Sequence, residues 1–238
     1  MRDGGDALGR QDCLGRGSSV AKEKRSKNLF AFEKVLTGHG AGQSREQYPA
    51  LQDIYVQGRY ADACFYIEKG WVKIATVSPN GKEAVVAIRH EGEFVGTRCL
   101  ISKRTATATA LTACSVVRVT TSALIRLLRE EPNFAVTFAT YLVSQSIQDQ
   151  ESLVDHLTNP AEKRLARALL QLAGHVEGAD PLPISTPLNQ GILASMIGTT
   201  RSRVNFFMNN FKRQGFIDFD RYGRVNVRDT LRQAMSEE

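Results

Sequence analysis

The chain has 238 residues, of which 42% are hydrophobic, and a formal net charge of +6 at pH 7. This length and composition predict one or two globular domains with cores of their own. No apolar run reaches the roughly 18 residues of a membrane-spanning helix, and the N-terminus lacks the apolar core of a secretory signal. We therefore expect a cytoplasmic protein with no membrane partner.

The cysteines are isolated in the sequence and form no CxxC pair: Cys13, Cys64, Cys99 and Cys114. This spacing argues against a disulfide framework and against a zinc or iron–sulfur site. It favours buried or incidental thiols, and no metal site is expected.

The first half of the chain divides into a basic tail and a strand-rich region. Residues 1–27 are rich in Gly, Ser, Arg and Lys without periodicity, which predicts a disordered basic tail. From Gln52 to Thr120, short β-branched runs alternate with glycine turns, and Asn80-Gly81 is a strong hairpin signal. We assign residues 28–131 to a sandwich-like or barrel-like β domain.

The period becomes helical after Thr121, and Pro132 opens a long helix over residues 132–158. Its apolar positions follow the 4-3 spacing of a coiled-coil seam. The seam positions are Val136, Thr140, Val143, Ile147, Gln150, Val154 and Leu157. A second stripe, Phe134, Phe138 and Leu142, can face its own domain. The seam predicts a homodimer, and the alternative is one helix packed inside a monomer.

Residues 159–238 form the predicted C-terminal domain. Asn159 is expected to cap a new helix that has Pro160 at its first position. Between Pro181 and Ile217 there are four basic residues and no acidic ones. Such a local field suits phosphate groups, although a solvated surface gives the same count.

The stretch GTTRSRVNFFMNNFKRQG, residues 198–215, predicts a tight turn and a helix. Gly198 tolerates positive φ in the turn, and Thr200 is a good helix cap. Helical spacing gives the buried face as Val204, Phe207, Met208 and Phe211. The first turn is therefore left with exposed arginines, a serine, an asparagine and an outward phenylalanine.

Residues Leu188 to Met196 predict a short helix before this turn, so the pair is a candidate helix-turn-helix. Arginine can bridge guanine O6 and N7, and phenylalanine can pack on a thymine methyl. After Gly215 the segment FIDFDRYGRVNV predicts two strands around Tyr222-Gly223, which would form a wing. The alternative is an ordinary helical hairpin with a basic surface.

The segments GTTRSRVNFFMNNFKRQGFI and FYIEKGWVKIATVSPNGKEAVVAIRHEGEFVG resemble the recognition region and the nucleotide-binding β-roll of the CRP/FNR superfamily. The resemblance implies an α+β fold with an N-terminal jelly-roll-like β-roll, a long dimerisation helix and a C-terminal winged helix-turn-helix. It also implies a bacterial transcription regulator that binds palindromic double-stranded DNA and contacts RNA polymerase.

In that family the first positions of the recognition helix read bases, and they fall here on Arg201, Ser202 and Phe206. Thr200 and Arg203 fall on positions suited to phosphate or base-edge contacts, and Asn205 lies beside them. Phe206 replaces an arginine of the best-known member, so a different half-site sequence is expected.

The family's phosphate-binding cassette has a Gly-Glu pair that meets the ribose and an Arg-Ser or Arg-Thr pair that meets the cyclic phosphate. Gly96-Thr97 and Arg104-Thr105 occupy these places, and the carboxylate is missing. The candidate ligands are cyclic AMP and cyclic GMP. The alternatives are a different anion, which Arg104 could hold, and regulation without a ligand.

An enzyme is the competing class, but the sequence has no phosphate loop, GxSxG or HExxH motif. We therefore predict a protein that is not an enzyme. A DNA-architectural protein with a degenerate sensory domain is the remaining alternative.

Overall fold

The computed structural model of the chain describes residues 32, 35, 36, 40–101, 103–173, 182–184 and 189–236. The predicted basic tail, residues 1–27, lies outside them. The strands of the N-terminal half are β1 (Gln43–Tyr48), β2 (Asp53–Tyr55), β3 (Ala63–Lys69), β4 (Trp71–Val77), β5 (Glu83–His90), β6 (Phe94–Val95), β7 (Thr107–Ala110) and β8 (Cys114–Thr120). A 3₁₀ turn, Thr97–Leu100, follows β6.

The remaining elements are mainly helical. They are α1 (Thr121–Glu130), α2 (Pro132–Thr158), α3 (Ala161–Ala173), β9 (Leu182–Pro183), α4 (Gln190–Ile197), α5 (Arg201–Arg213), β10 (Ile217–Phe219), β11 (Val225–Val227) and α6 (Thr230–Ser236). This order of elements confirms the α+β class expected from the sequence. Strands β1 and β9, the 3₁₀ turn and helix α6 were not predicted, because none of them has a clear apolar period.

Two four-stranded antiparallel sheets build the β-roll, in the orders β1-β8-β3-β6 and β2-β7-β4-β5. Glycines make its tight turns, as expected: Gly70 joins β3 to β4, and Gly81 lies in the turn between β4 and β5. Both adopt positive φ, which L side chains rarely take.

Side-chain alternation along β3 separates two hydrophobic cores. Ala63, Phe65 and Ile67 point between the sheets, whereas Cys64 and Tyr66 point toward the helices. Successive side chains of a strand point to opposite faces, which explains this separation. The roll therefore has one core inside it and a second core on the face that α2 covers.

Helix α2 packs on this second core through Phe134 and Phe138, which are buried as predicted. The prediction that Leu142 continues the stripe is wrong, because Leu142 is exposed. Tyr141 takes that place, and its hydroxyl accepts a hydrogen bond from the Phe94 N–H at 3.0 Å and donates one to the Phe94 carbonyl at 3.1 Å.

A polar network joins α2 to the C-terminal domain. The buried Asp155 carboxylate forms an ion pair with Arg167 and accepts a hydrogen bond from the Asn159 amide at 2.8 Å. Helix α3 begins at Ala161, so Pro160 precedes its first residue instead of occupying it. Arg164 donates to the carbonyl of Ile197 at 3.0 Å, which ties the end of α4 to this junction.

Candidate nucleic-acid interface and effector site

The predicted helix-turn-helix is formed by α4 and α5. Gly198 ends α4 in the left-handed conformation, with φ of 66°. The Thr200 hydroxyl caps α5 by accepting a hydrogen bond from the Arg203 N–H at 3.4 Å. Because the cap fixes the backbone of the first turn of α5, the polar side chains of that turn project from a defined backbone position.

The buried face of α5 is the one that the sequence predicted: Val204, Phe207, Met208 and Phe211. These residues pack with α3, α4 and the wing in a single C-terminal core. The opposite face is open to solvent, and Phe206 remains 63% exposed despite its size. An exposed aromatic ring among cations suits contact with another molecule better than it suits water.

All six predicted DNA-binding residues lie together at the N-terminal end of α5, and all are exposed: Thr200, Arg201, Ser202, Arg203, Asn205 and Phe206. Most of them also make contacts inside the domain. The Thr200 hydroxyl lies 3.1 Å from the Ser202 hydroxyl, and the Phe206 ring centroid lies 5.8 Å from that of Phe207. Asn205 accepts a hydrogen bond from Gln190 at 3.1 Å, and the Arg203 guanidinium lies 5.8 Å from the Phe207 ring centroid. Arg201, Ser202 and Phe206 remain exposed beside these contacts.

The wing adds exposed arginines that the sequence motifs did not assign to DNA: Arg221, and Arg224, which forms an ion pair with Asp220 at 2.7 Å. The Asp220 carboxylate accepts hydrogen bonds from the backbone N–H groups of Tyr222 and Arg224, at 2.8 and 2.9 Å, and so shapes the β10–β11 turn. Arg221 packs on the exposed Tyr222 ring at 4.7 Å. The predicted hairpin contains two arginines and two aspartates, so its sequence has no net charge that would have pointed to DNA.

The predicted effector residues lie between β6 and β7. Gly96 takes φ of 73°, and a Cβ there would lie 2.6 Å from the Arg104 Nη1 atom. Only glycine therefore fits this approach without a shift. Thr97 begins the 3₁₀ turn, and Thr105 is exposed and accepts a hydrogen bond from Arg98 at 3.4 Å.

Arg104 is turned into the protein. Its side chain is 4% exposed, and it donates to the carbonyls of Ala63 at 2.7 Å and Gly96 at 3.3 Å. Its guanidinium lies 4.3 Å from the Tyr55 ring centroid and 3.6 Å from an Asp62 carboxylate oxygen. Within the described part of the chain, the buried Nε–H of Arg104 finds no hydrogen-bond partner.

The surroundings of Tyr55 are strongly cationic. Burial raises the pKa of Tyr55 to about 12, while Arg104, Arg89 and Arg98 act in the opposite direction. Three guanidinium groups therefore act on one phenol. Arg89 also lies 4.0 Å from Asp149 on α2, so part of its charge is balanced there.

These residues include polar groups that suit the phosphate of a cyclic nucleotide, but they include no partner for its ribose. Thr105 offers an exposed hydroxyl to an anion, whereas Arg104 can offer its charge only by leaving the carbonyls of Ala63 and Gly96. Position 97 offers no carboxylate for a ribose hydroxyl, and Arg98 cannot accept a hydrogen bond.

Two family models match the chain. The model of a cyclic nucleotide-binding domain matches residues 45–131, and that of a Crp-like helix-turn-helix domain matches residues 163–233. A CRP-like cAMP-activated global transcriptional regulator of Mycobacterium tuberculosis is 26% identical over 175 residues, which cover 71% of this chain and 78% of that protein. The chain belongs to the CRP/FNR superfamily. It is a DNA-binding transcriptional regulator of the CRP/FNR type.

Solved structures share the fold of this CRP/FNR protein. FixK2 from Bradyrhizobium japonicum has a TM-score of 0.72 at 18% identity, over 82% of this chain and 96% of that one. The c-di-GMP-responsive regulator CLP from Xanthomonas campestris has a TM-score of 0.65 at 18% identity, over 87% and 99%. Among the described residues of the present chain, no helix is both long and apolar enough to cross a bilayer.

Proposed function

We propose that this CRP/FNR protein binds a palindromic DNA site as a homodimer, with α5 of each protomer in the major groove. The observation that carries the proposal is the exposed N-terminal face of α5, where Arg201, Ser202 and Phe206 project from a capped helix. The two recognition helices should lie about 34 Å apart, so that the half-sites are one helical turn apart. The resemblance extends the proposal to RNA polymerase as a partner.

The exposed side of α2 supports the homodimer. The apolar seam residues are at least half exposed in the single chain: Val136, Val143, Ile147, Val154 and Leu157. Burying such a row of apolar side chains against a second copy of the chain stabilises the dimer. A partner copy supplies a matching row by symmetry.

Arg201→Ala tests the DNA interface. Loss of a bidentate guanine contact should weaken binding to the specific site by about 1–3 kcal/mol and spare binding to random DNA. Arg129→Ala is the matched control, because it removes the same charge from an exposed position on α1. Fluorescence anisotropy on both DNAs measures the difference. An equal loss on random DNA would make Arg201 a phosphate contact only.

We further propose that the β-roll answers to a small anion and holds cyclic AMP or cyclic GMP weakly. An unmet ribose hydroxyl costs about 1–3 kcal/mol, which is roughly tenfold to a hundredfold in affinity. The contacts of Arg104 with Ala63 and Gly96 add to this, because a phosphate would have to compete with protein carbonyls. Regulation without any ligand, or a purely architectural role, is the alternative.

Calorimetric titration with cyclic AMP, cyclic GMP and inorganic phosphate separates these cases. Sub-micromolar nucleotide binding that Arg104→Ala abolishes would refute the proposal, and Asp149 on α2 would then be the candidate carboxylate. Thr105→Ala is a second variant, because Thr105 is exposed and its removal should leave the fold intact. Circular dichroism of both variants checks folding.

A further inference from the structure

Two of the cysteines lie side by side beneath the 3₁₀ turn. Cys64 and Cys99 are both buried, and both belong to the core between the roll and the helices. Neither forms a disulfide in this structure. They are 35 positions apart in the chain, so their spacing in the sequence did not predict that they would be neighbours.

Strand register explains their meeting. Phe65 pairs with Val95 and Tyr66 with Phe94, and continuing this antiparallel register by one residue puts Cys64 opposite Gly96. The Cys99 N–H donates to the Gly96 carbonyl at 3.0 Å, which closes one 3₁₀ turn. Because a 3₁₀ helix has three residues per turn, Cys99 lies over Gly96 and hence beside Cys64.

Contacts on both sides hold this arrangement. The Arg104 guanidinium donates to the carbonyl before Cys64, that of Ala63, and to the Gly96 carbonyl on which the turn is built. The Thr121 hydroxyl donates to the Cys99 carbonyl at 3.4 Å. The two thiols are therefore positioned by the same arginine that marks the effector site.

The two thiols differ in acidity. A hydrogen bond from Cys64 is the main cause that lowers the pKa of Cys99 to about 7, and Thr121 and Arg104 add to it against the effect of burial. The pKa of Cys64 is raised, by this hydrogen bond and by burial. Since the thiolate is the nucleophile, Cys99 is the more reactive of the two near neutral pH.

We propose that Cys64 and Cys99 are a modification site at which a small peroxide forms an intramolecular disulfide. The Cys99 thiolate attacks one oxygen of hydrogen peroxide, the O–O bond breaks, and hydroxide leaves to become water. The Cys64 sulfur then attacks the resulting sulfenic acid. The S–S bond forms, the S–O bond breaks, and the second hydroxide takes the Cys64 proton as water.

The sulfurs together lose two electrons, and the peroxide is reduced to two waters. Cys64 is 0% and Cys99 is 3% exposed, whereas the next residues, Leu100 and Ile101, are 57% and 62% exposed. A peroxide must therefore pass the 3₁₀ turn to reach Cys99. The proposal is independent of the effector and of DNA binding.

Peptide mapping of the full-length chain tests it. The protein is exposed to hydrogen peroxide, acid-quenched, unfolded and labelled with N-ethylmaleimide, then digested with trypsin. Labelling of the peptides 60–69 and 99–103 should fall together, and a joined peptide that dithiothreitol separates should appear. Cys114, which is buried without a neighbouring cysteine in the described chain, should keep its label. Full labelling of both peptides, or a sulfinic acid at Cys99 beside labelled Cys64, would overturn the proposal.

Single variants test which sulfur reacts first. In Cys64→Ser, the Cys99 sulfenic acid has no partner thiol and should be trapped by dimedone. In Cys99→Ser, Cys64 should give no dimedone adduct. The reverse pattern would refute the assignment of Cys99 as the peroxide-reactive thiol, and the mapping of the unmodified sequence stands even if a variant fails to fold.

Discussion

Two glutamates on the exposed seam of α2 should convert the proposed dimer into monomers. Val143 and Ile147 are adjacent along the seam, and in the single chain they are 60% and 50% exposed. Neither belongs to a hydrophobic core formed by the described residues. The double variant Val143→Glu/Ile147→Glu therefore changes association without removing an intramolecular contact of the roll.

The magnitude follows from the area that the seam would bury. Full burial of a valine or isoleucine side chain stabilises by about 1.5–3 kcal/mol, so the exposed half of each contributes about 1 kcal/mol or more. The two residues occur in both protomers, which gives four side chains and about 4 kcal/mol. That is roughly a thousandfold in the dissociation constant. Four carboxylates facing one another weaken the dimer further.

Sedimentation velocity over a range of protein concentrations measures the change. The control is Gln148→Glu/Ser152→Glu, which adds the same number of carboxylates at exposed positions on the opposite side of α2. The control should remain dimeric, and both variants should keep the helical circular dichroism of the parent. An unchanged dimer mass for Val143→Glu/Ile147→Glu would show that the seam is not the interface.

Two further changes probe the sites themselves by urea unfolding. Thr200→Ala should destabilise the C-terminal domain by about 1 kcal/mol because α5 loses its cap, whereas Thr200→Ser should be nearly neutral; equal losses would mean that the hydroxyl does not cap. Gly96→Ala should cost more than Gly81→Ala, since both have positive φ but only the Cβ at 96 would meet Arg104. Equal costs would contradict the close approach at Arg104.

The fold was predicted best where an apolar repeat extended over a whole helix or where a turn had a characteristic residue pair. The buried face of α5 follows from residues spaced i, i+3, i+4 and i+7, and the Gly81 turn follows from hairpin chemistry. Leu142 was misplaced because it lies one position from Tyr141, and helical spacing alone cannot choose between them. The tyrosine prevails since its hydroxyl can satisfy both backbone groups of Phe94.

The conformation of Arg104 and the meeting of Cys64 with Cys99 lay beyond sequence reasoning. Both depend on contacts between strands that are far apart in the chain. A motif gives the residue type at a position, whereas the direction of its side chain depends on the carbonyls of other strands, here that of Ala63. Register between β3 and β6 fixes the thiol pair in the same way.

The effector residues are also connected to the dimer helix. Gly96 follows β6 directly, and both backbone groups of Phe94 in β6 are bonded to the Tyr141 hydroxyl of α2. The seam residues Val143 and Ile147 lie within two turns of Tyr141 on the same helix. A displacement of Gly96, whether caused by an anion at Arg104 or by a disulfide at Cys99, would therefore act on a strand that is hydrogen-bonded to the helix carrying the proposed interface. Helix α2 continues to the Asp155 junction with α3, so it connects the β-roll covalently to the DNA-binding domain.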